Sequence, residues 1–158
     1  MSALTQTHAT FVLEREYPAP VQQVWQAFAD PEVKAKWFGG DEFVILDRSD
    51  DFRIGGVSAE TSTYGEGGPR GVFRGTYTDI VEQQRIVMTY DMWLEDAHAS
   101  TSITTILFEP SEAGTHLTYT EQGVHLDGIH GPGPEAAAGR EEGTGVLLDQ
   151  LGALLTEG

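Results

Sequence analysis

A cluster of histidine and aspartate near residue 125 is the group in this 158-residue sequence whose types and spacing could hold a metal ion. His125, Asp127 and His130 stand close together in the chain, and imidazole and carboxylate ligands suit several divalent ions. The glycines around them leave the loop geometry free, and the chain has no cysteine to support a metal centre. We therefore expect no metal here and interpret the segment as a mobile loop, which is the kind of segment that often serves ligands.

Aromatic side chains form a second group that could contact a ligand. They are Trp25, Trp37, Trp93, Tyr77, Tyr90 and Tyr119. Burial trends assign most such residues to the core. Tyr90 and Tyr119 are of more interest, because a phenol on a central strand can offer one hydroxyl to a mostly apolar ligand. His8, His98 and His116 have no partner visible in the sequence, and we predict that they lie on the surface.

The composition is that of one acidic globular domain. Twenty-five acidic and nine basic residues give a net charge of −16. Because that field repels phosphate backbones and anionic lipids, we expect no nucleic acid partner. No run reaches the ~18 apolar residues of a membrane span, and no secretory signal is visible, so we expect a cytoplasmic protein without membrane insertion. The length suits a single domain over residues 1–158, with an ordered core of about 10–156.

The first part of the chain predicts one strand and two short helices. Residues 10–17 alternate apolar and polar side chains, as a half-buried strand does. Residues 21–28 place apolar side chains at helical spacing. A second helix of about seven residues begins after Asp30, which can cap it. A helix that short is marginal alone, so we expect it to pack against a sheet through Trp37.

Residues 42–122 change to short alternating runs separated by turn residues. We predict strands near residues 42–48, 53–63, 71–80, 85–94, 100–109 and 115–122. Their spacing of ~8–12 residues between turn signals is typical of an antiparallel meander. Gly55 and Gly56 fall inside the second of these strands and indicate a bulge or a close backbone approach.

A glycine- and proline-rich loop from residue 124 precedes a last helix over about residues 134–155. The second half of this helix carries leucines on one face. The first half carries Gly139, Gly143 and Gly145, each at a cost of up to ~1 kcal/mol relative to alanine, so we expect the missing side chains to serve a purpose. One sheet with helices gathered on one face is an α+β layer architecture.

Several stretches of the chain resemble the SRPBCC superfamily (START-like, Bet v 1-like), and within it the bacterial homologues of the heat-shock protein 90 ATPase activator. They are YPAPVQQVWQAFADPEVKAKWF (17–38), FRIGG (52–56), GTYTDIVEQQRIVMTYDM (75–92), and TEQGVHLDG with REEGTGVLLDQLGALL near the C-terminal end. The resemblance covers about residues 10–156. It implies a helix-grip fold, in which a curved seven-stranded antiparallel sheet wraps around the long C-terminal helix and encloses an apolar cavity. The two short helices between the first two strands would close one end of that cavity.

In such a fold the resemblance places a set of side chains around the cavity. The ligand pocket that it implies consists of Trp37, Phe38, Tyr77, Tyr90, Tyr119, Glu121, His125, Arg140, Gly143, Thr144 and Leu147. Thr144 stands where many family members have tryptophan, which alters the expected shape of the pocket. The glycines of the last helix would widen the cavity, and the loop at 123–134 would gate it.

The resemblance leaves three classes of function open. We favour a protein that binds a small apolar or amphipathic molecule without a cofactor. A cyclase or dehydratase would use Glu121, Asp91 and Arg140 as catalytic candidates, with Glu141 nearby. The alternative for these residues is a structural ion pair that fastens the last helix to the sheet.

The third class of function is a co-chaperone that activates the heat-shock protein 90 ATPase. Stimulation of the chaperone ATPase is not expected, because the larger activator also uses an N-terminal domain that has no counterpart in this sequence. Exposed edge strands would allow a homodimer.

Overall fold

The structure, a computed structural model, describes residues 4–157. Its strands are β1 Gln6–Tyr17, β2 Phe43–Asp50, β3 Val57–Tyr64, β4 Arg70–Val81, β5 Arg85–Leu94, β6 Ala97–Pro110 and β7 Thr115–Leu126. Its helices are α1 Val21–Ala29, α2 Pro31–Trp37 and α3 Gly133–Leu155. The strands form one antiparallel sheet in the order β1-β7-β6-β5-β4-β3-β2. The predicted helix-grip architecture, with two short helices after β1 and a long C-terminal helix, is confirmed.

The last strand is longer than the sequence predicts. β7 continues to Leu126, so residues 124–126, which we predicted as loop, are strand. His125 pairs with Thr7 of β1 on one side and with Ser100 of β6 on the other. Because two neighbouring strands satisfy the backbone of this segment, tertiary pairing outweighs its loop-like composition.

The third strand begins later than predicted. β3 starts at Val57, and residues 53–56 form a turn before it. Gly56 in this turn makes the close backbone approach that the sequence indicates. A Cβ atom on Gly56 would lie 2.0 Å from the carbonyl oxygen of Asp51, so a larger residue cannot fit without moving the backbone.

The hydrophobic core lies between the concave face of the sheet and the helices. α3 packs against β1, β7 and α2, and its Leu148 and Leu151 are fully buried. The Tyr17 hydroxyl of β1 donates a 2.8 Å hydrogen bond to the Leu148 carbonyl oxygen. From α1, Trp25 packs edge to face on Phe108 of β6 with ring centroids 5.0 Å apart. No helix within residues 4–157 is long and apolar enough to cross a membrane.

The glycines of α3 do not surround a cavity, which corrects the role expected for them. Gly139 and Gly143 are exposed, and a Cβ atom on either would meet nothing within 4 Å. Gly145 faces β1 instead, where a Cβ atom would lie 3.4 Å from a guanidinium nitrogen of Arg15. The missing side chain at residue 145 therefore lets the helix approach the edge strand.

Leu151→Ala tests how much stability the packing of α3 supplies. Because Leu151 is fully buried, its truncation should lower the free energy of unfolding by about 2–5 kcal/mol through lost burial and a residual cavity. Leu46→Ala is the matched control, since Leu46 of β2 is 57% exposed and its truncation should change stability by only about 0.5 kcal/mol. Urea denaturation followed by tryptophan fluorescence measures both variants. Equal losses would contradict this assignment of the core.

Candidate functional site

Glu121 of β7 is the centre of a buried polar cluster beneath α3. Its side chain is 4% exposed, and its Oε1 accepts hydrogen bonds from the Tyr90 hydroxyl at 2.8 Å and the Thr104 hydroxyl at 3.4 Å. Nη1 of Arg140 lies 3.5 Å from Oε2 of Glu121 and donates to the Tyr90 oxygen at 2.8 Å. Nη2 of Arg140 donates to Ser100 Oγ at 2.9 Å. Arg140 thereby fastens α3 to β5, β6 and β7. This is the structural ion pair that we expected as the alternative to a catalytic role.

Burial controls the protonation of this cluster. It raises the pKa of Glu121, while the Arg140 charge and the hydrogen bond from Tyr90 act in the opposite direction. Burial, followed by the Glu121 charge, also raises the pKa of Tyr90 and of Tyr119. Both phenols therefore keep their protons at neutral pH, and the Tyr90 hydroxyl donates its proton to Glu121.

Two buried polar atoms beside the cluster lack a hydrogen-bond partner among residues 4–157. They are Ser102 Oγ on β6 and His125 Nδ1 on β7. Burial and then the Arg140 charge lower the pKa of His125, so its imidazole is neutral at neutral pH. A hydroxyl and a neutral imidazole are thus available to hydrogen-bond a water molecule or a ligand.

A second polar cluster lies between α2 and the sheet. Nζ of Lys34 donates to Asp50 Oδ2 at 3.0 Å and to the Tyr77 oxygen at 3.2 Å. The Tyr77 hydroxyl donates to Asp50 Oδ1 at 2.8 Å. The side chains of Lys34 and Asp50 are only 13% and 9% exposed. Sequence reasoning missed this pair, because each residue alone resembles an ordinary surface charge and only the packing of α2 on the sheet brings the two together.

Pockets lie on both sides of Phe38, just after α2. The strand pocket, of about 260 Å³, lies between α2 and strands β2–β4. The helix pocket, of about 440 Å³, lies between the end of α2, β2 and α3. Ala35, Phe38 and Arg48 line both pockets. Lys34 and Asp50 line the strand pocket, so the second polar cluster borders a space that a ligand can enter.

A row of aromatic rings joins these pockets to the buried Glu121 cluster. The centroids of Trp37 and Phe38 are 5.6 Å apart, and those of Phe38 and Phe73 are 6.3 Å apart. Phe73 lines the strand pocket, and its ring centroid is 4.9 Å from that of Tyr90. Because the Tyr90 hydroxyl binds Glu121, a molecule that touches Phe73 lies one ring away from that cluster.

The structure separates the predicted pocket residues into groups. One group lies beneath the first half of α3 and consists of Tyr90, Tyr119, Glu121, His125 and Arg140. A second group, Trp37 and Phe38, lies at the pockets beside α2. Tyr77 belongs to the Lys34 cluster. Thr144 is buried and donates its hydroxyl to the Arg140 carbonyl oxygen at 2.8 Å, within the helix. Leu147 packs on the core, and Gly143 is exposed.

Asp91 and Glu141 do not join the Glu121 cluster, which corrects their placement. Successive strand residues point to opposite faces, so Asp91 lies on the face opposite to Tyr90. There Asp91 accepts a hydrogen bond from Thr101 and lies 3.2 Å from Nε2 of His98. Glu141 is exposed on α3. The resemblance placed Asp91 on the correct strand and Glu141 on the correct helix, but it placed neither side chain on the correct face.

Of the three histidines predicted to lie on the surface, His8 and His98 are exposed and His116 is half-buried, with two acidic neighbours. His116 contacts Glu16 and lies 3.1 Å from Oε1 of Glu14. The hydrogen bonds that His116 donates to the carboxylates of Glu16 and then Glu14 raise its pKa above the ordinary 6.5. This group lies where β1 and β7 pair, apart from both pockets.

The residues His125, Asp127 and His130, which the sequence suggested as metal ligands, do not form a metal site. Within residues 4–157 no group of three histidine, aspartate or glutamate side chains is placed to hold a metal ion. His125 belongs to β7, and Asp127 Oδ1 accepts a 2.9 Å hydrogen bond from the backbone nitrogen of Thr5. Asp127 thus connects the turn after β7 to the start of the described chain.

Fold and sequence together identify the class of protein. A long helix gripped by a seven-stranded antiparallel sheet, with two short helices after β1, defines a helix-grip protein of the SRPBCC superfamily. Within it, the chain belongs to the family described as Activator of Hsp90 ATPase homolog 1-like protein, whose family model matches residues 18–156.

Solved structures of bacterial proteins agree with this assignment. The chain is 35% identical to an uncharacterized protein of Rhizobium leguminosarum, with 99% of this chain and 100% of that chain covered and a TM-score of 0.89. It is 42% identical to the Mll3558 protein of Rhizobium loti, with 94% and 98% covered and a TM-score of 0.84. The CV1439 protein of Chromobacterium violaceum is 29% identical, with 94% and 99% covered and a TM-score of 0.74. A comparison with curated proteins found no match.

Glu121→Gln should reduce the dependence of stability on pH. Because burial raises the pKa of Glu121 above its ordinary 4.5, the folded state binds this proton more tightly than the unfolded state does. That contribution to stability is fully present below pH 4.5 and is lost as the pH rises through the folded-state pKa. Glutamine removes the titration, so the decline in unfolding free energy from acidic to neutral pH should become smaller.

Urea denaturation at several pH values measures this effect. Glu141→Gln is the matched control, because Glu141 is an exposed carboxylate on the neighbouring helix and its loss should leave the pH profile of the wild-type protein unchanged. A Glu121→Gln profile parallel to the wild-type profile would contradict the raised pKa.

Proposed function

We propose that this protein binds a small apolar or amphipathic molecule in the groove formed by the strand pocket and the helix pocket. The observation that carries the proposal is the presence of these two spaces on either side of Phe38. The helix pocket, at about 440 Å³, falls within the ~300–1,000 Å³ that is typical of small-molecule sites.

The walls of the groove suit an apolar body with few polar groups. Ala35, Phe38 and Phe73 supply apolar surface in or beside the strand pocket, and Ile45 and Val146 do so in the helix pocket. Ile45 and Val146 are exposed in this structure, so a ligand there would remove apolar surface from water. Burial of that kind is worth roughly 25 cal/mol per Å².

The burial and the hydrogen bonds of the Glu121 carboxylate favour ligand binding over acid–base catalysis. Its carboxylate is nearly inaccessible and is held by Tyr90, Thr104 and Arg140. A general acid or base must reach the proton that it transfers. The contacts of Glu121 instead support the role of a structural partner for Arg140.

Native mass spectrometry of the protein purified from a bacterial host tests the proposal. We expect a small molecule to copurify, and Phe38→Ala to lose it, because Phe38 lines both pockets. Phe43→Ala is the matched control, since the Phe43 ring packs on Tyr64 and does not line either pocket. Thermal melts establish that both variants are folded.

Two results would contradict the proposed function or its proposed site. If no small molecule copurifies, and the purified protein binds none of a set of apolar probes, the proposed function is wrong. Equal retention by Phe38→Ala and Phe43→Ala would place the ligand elsewhere in the molecule.

A further inference from the structure

The Lys34 cluster at the strand pocket has an unused hydrogen-bond donor. A lysine ammonium carries three N–H groups. Among residues 4–157, Lys34 donates two of them, to Asp50 and to Tyr77. Tyr77 in turn donates its only proton to Asp50. Because Lys34 lines the strand pocket, its third N–H would be available to a molecule bound there.

The position of this ammonium is not explained by stability alone. Desolvation of a buried ion pair commonly offsets its Coulomb energy, so such a pair is weak support for a purely stabilising role. Nζ of Lys34 also lies 5.1 Å from the ring centroid of Phe38 and 5.8 Å from that of Tyr77. The aromatic faces hold the cation at a defined place, as expected for a polar group that orients a ligand in an apolar pocket.

The charges around the strand pocket disfavour an anion. Asp50 balances Lys34, and Glu60 Oε1 accepts a 2.7 Å hydrogen bond from Nε of Arg48 at the same pocket. Glu32 then leaves the lining with one net negative charge, on a chain whose net charge is −16. A neutral molecule avoids that repulsion and needs only an acceptor for the free N–H.

The size of the strand pocket limits the ligand further. Its volume of about 260 Å³ lies just below the ~300–1,000 Å³ of drug-sized sites, so it suits a molecule of one or two rings. Pro31, Ala35, Phe38, Ala59 and Phe73 supply the apolar walls for such rings.

We propose that the strand pocket binds an uncharged molecule of one or two rings that carries an oxygen acceptor, and that Lys34 donates a hydrogen bond to that oxygen. This inference rests on the proposed function and names both the chemical class of the ligand and the side chain that orients it. Lys34 acts by binding and transfers no proton.

Two probes of the same shape separate the hydrogen bond from the apolar contact. Acetophenone has a ring and a carbonyl oxygen, whereas α-methylstyrene replaces that oxygen with a methylene group. NMR titration gives the dissociation constant of each probe. We expect Lys34→Met to reduce the preference for acetophenone over α-methylstyrene by about tenfold, which is the effect of losing one hydrogen bond to a charged donor.

Three further variants keep the test decisive. Lys34→Met leaves Asp50 without its cation, so the double variant Lys34→Met/Asp50→Asn removes both charges and should lose the preference as well. Lys36→Met is the matched control, because Lys36 lies on the same helix but lines only the helix pocket of the two. Ala59→Trp fills the strand pocket and should abolish binding of both probes.

Each outcome has a distinct meaning. If the wild-type protein binds neither probe, this inference fails, whereas the proposed function is decided by the copurification experiment. If both probes bind but neither Lys34 variant changes their ratio, the role of Lys34 is wrong while the proposed function stands. If Ala59→Trp binds both probes as well as the wild-type protein does, the strand pocket is not their site.

Discussion

The attachment of α2 to the rest of the molecule is the constraint on which both pockets depend. A helix of seven residues has too few internal hydrogen bonds to persist alone. Trp37 Nε1 donates to the Ala27 carbonyl oxygen at 2.8 Å, which connects the end of α2 to α1. Gln150 of α3 donates to the carbonyl oxygens of Trp37 and Gly39 at 2.7 and 2.8 Å. These bonds fix Phe38 between the strand pocket and the helix pocket.

The two buried polar clusters have different physical roles because only the Lys34 cluster borders a pocket. In the Glu121 cluster, the guanidinium of Arg140 binds Tyr90 and Ser100 and faces the carboxylate, so α3 is joined to three strands. In the Lys34 cluster, one N–H of the ammonium has no acceptor among residues 4–157. A polar cluster that joins a helix to the sheet specifies the fold, whereas one that also borders a pocket can select a ligand.

Much of the fold follows from local pattern. The alternation over residues 10–17 places Phe11 and Tyr17 in the core, and the predicted cap is present as a 2.9 Å hydrogen bond from the backbone nitrogen of Glu32 to Asp30 Oδ1. Such features depend on residues that are near one another in the chain. They can therefore be predicted without knowing the tertiary structure.

The site was less predictable because it depends on faces and register. Asp91 was assigned to the correct strand but lies on the opposite face, and a shift of one residue is enough to cause that error. Lys34 of α2 and Asp50 of β2 come from different elements and meet only when α2 packs against the sheet. Phe73 was not singled out, although it connects the strand pocket to Tyr90. Its single aromatic ring in an alternating strand gives no signal of the pocket beside it.

The outer wall of the groove is β2, an edge strand that hydrogen-bonds to only one neighbouring strand. β2 lies at the edge of the sheet and pairs with β3, with an irregularity between Ile45 and Asp47. Its apolar residues 43–46 are 39–57% exposed, whereas the inner wall is anchored by the fully buried core of α3. Because stability is not uniform across a structure, the groove combines a rigid inner wall with an outer wall that can adjust at low cost. That difference in support would let the outer wall adjust to a ligand of the kind proposed above.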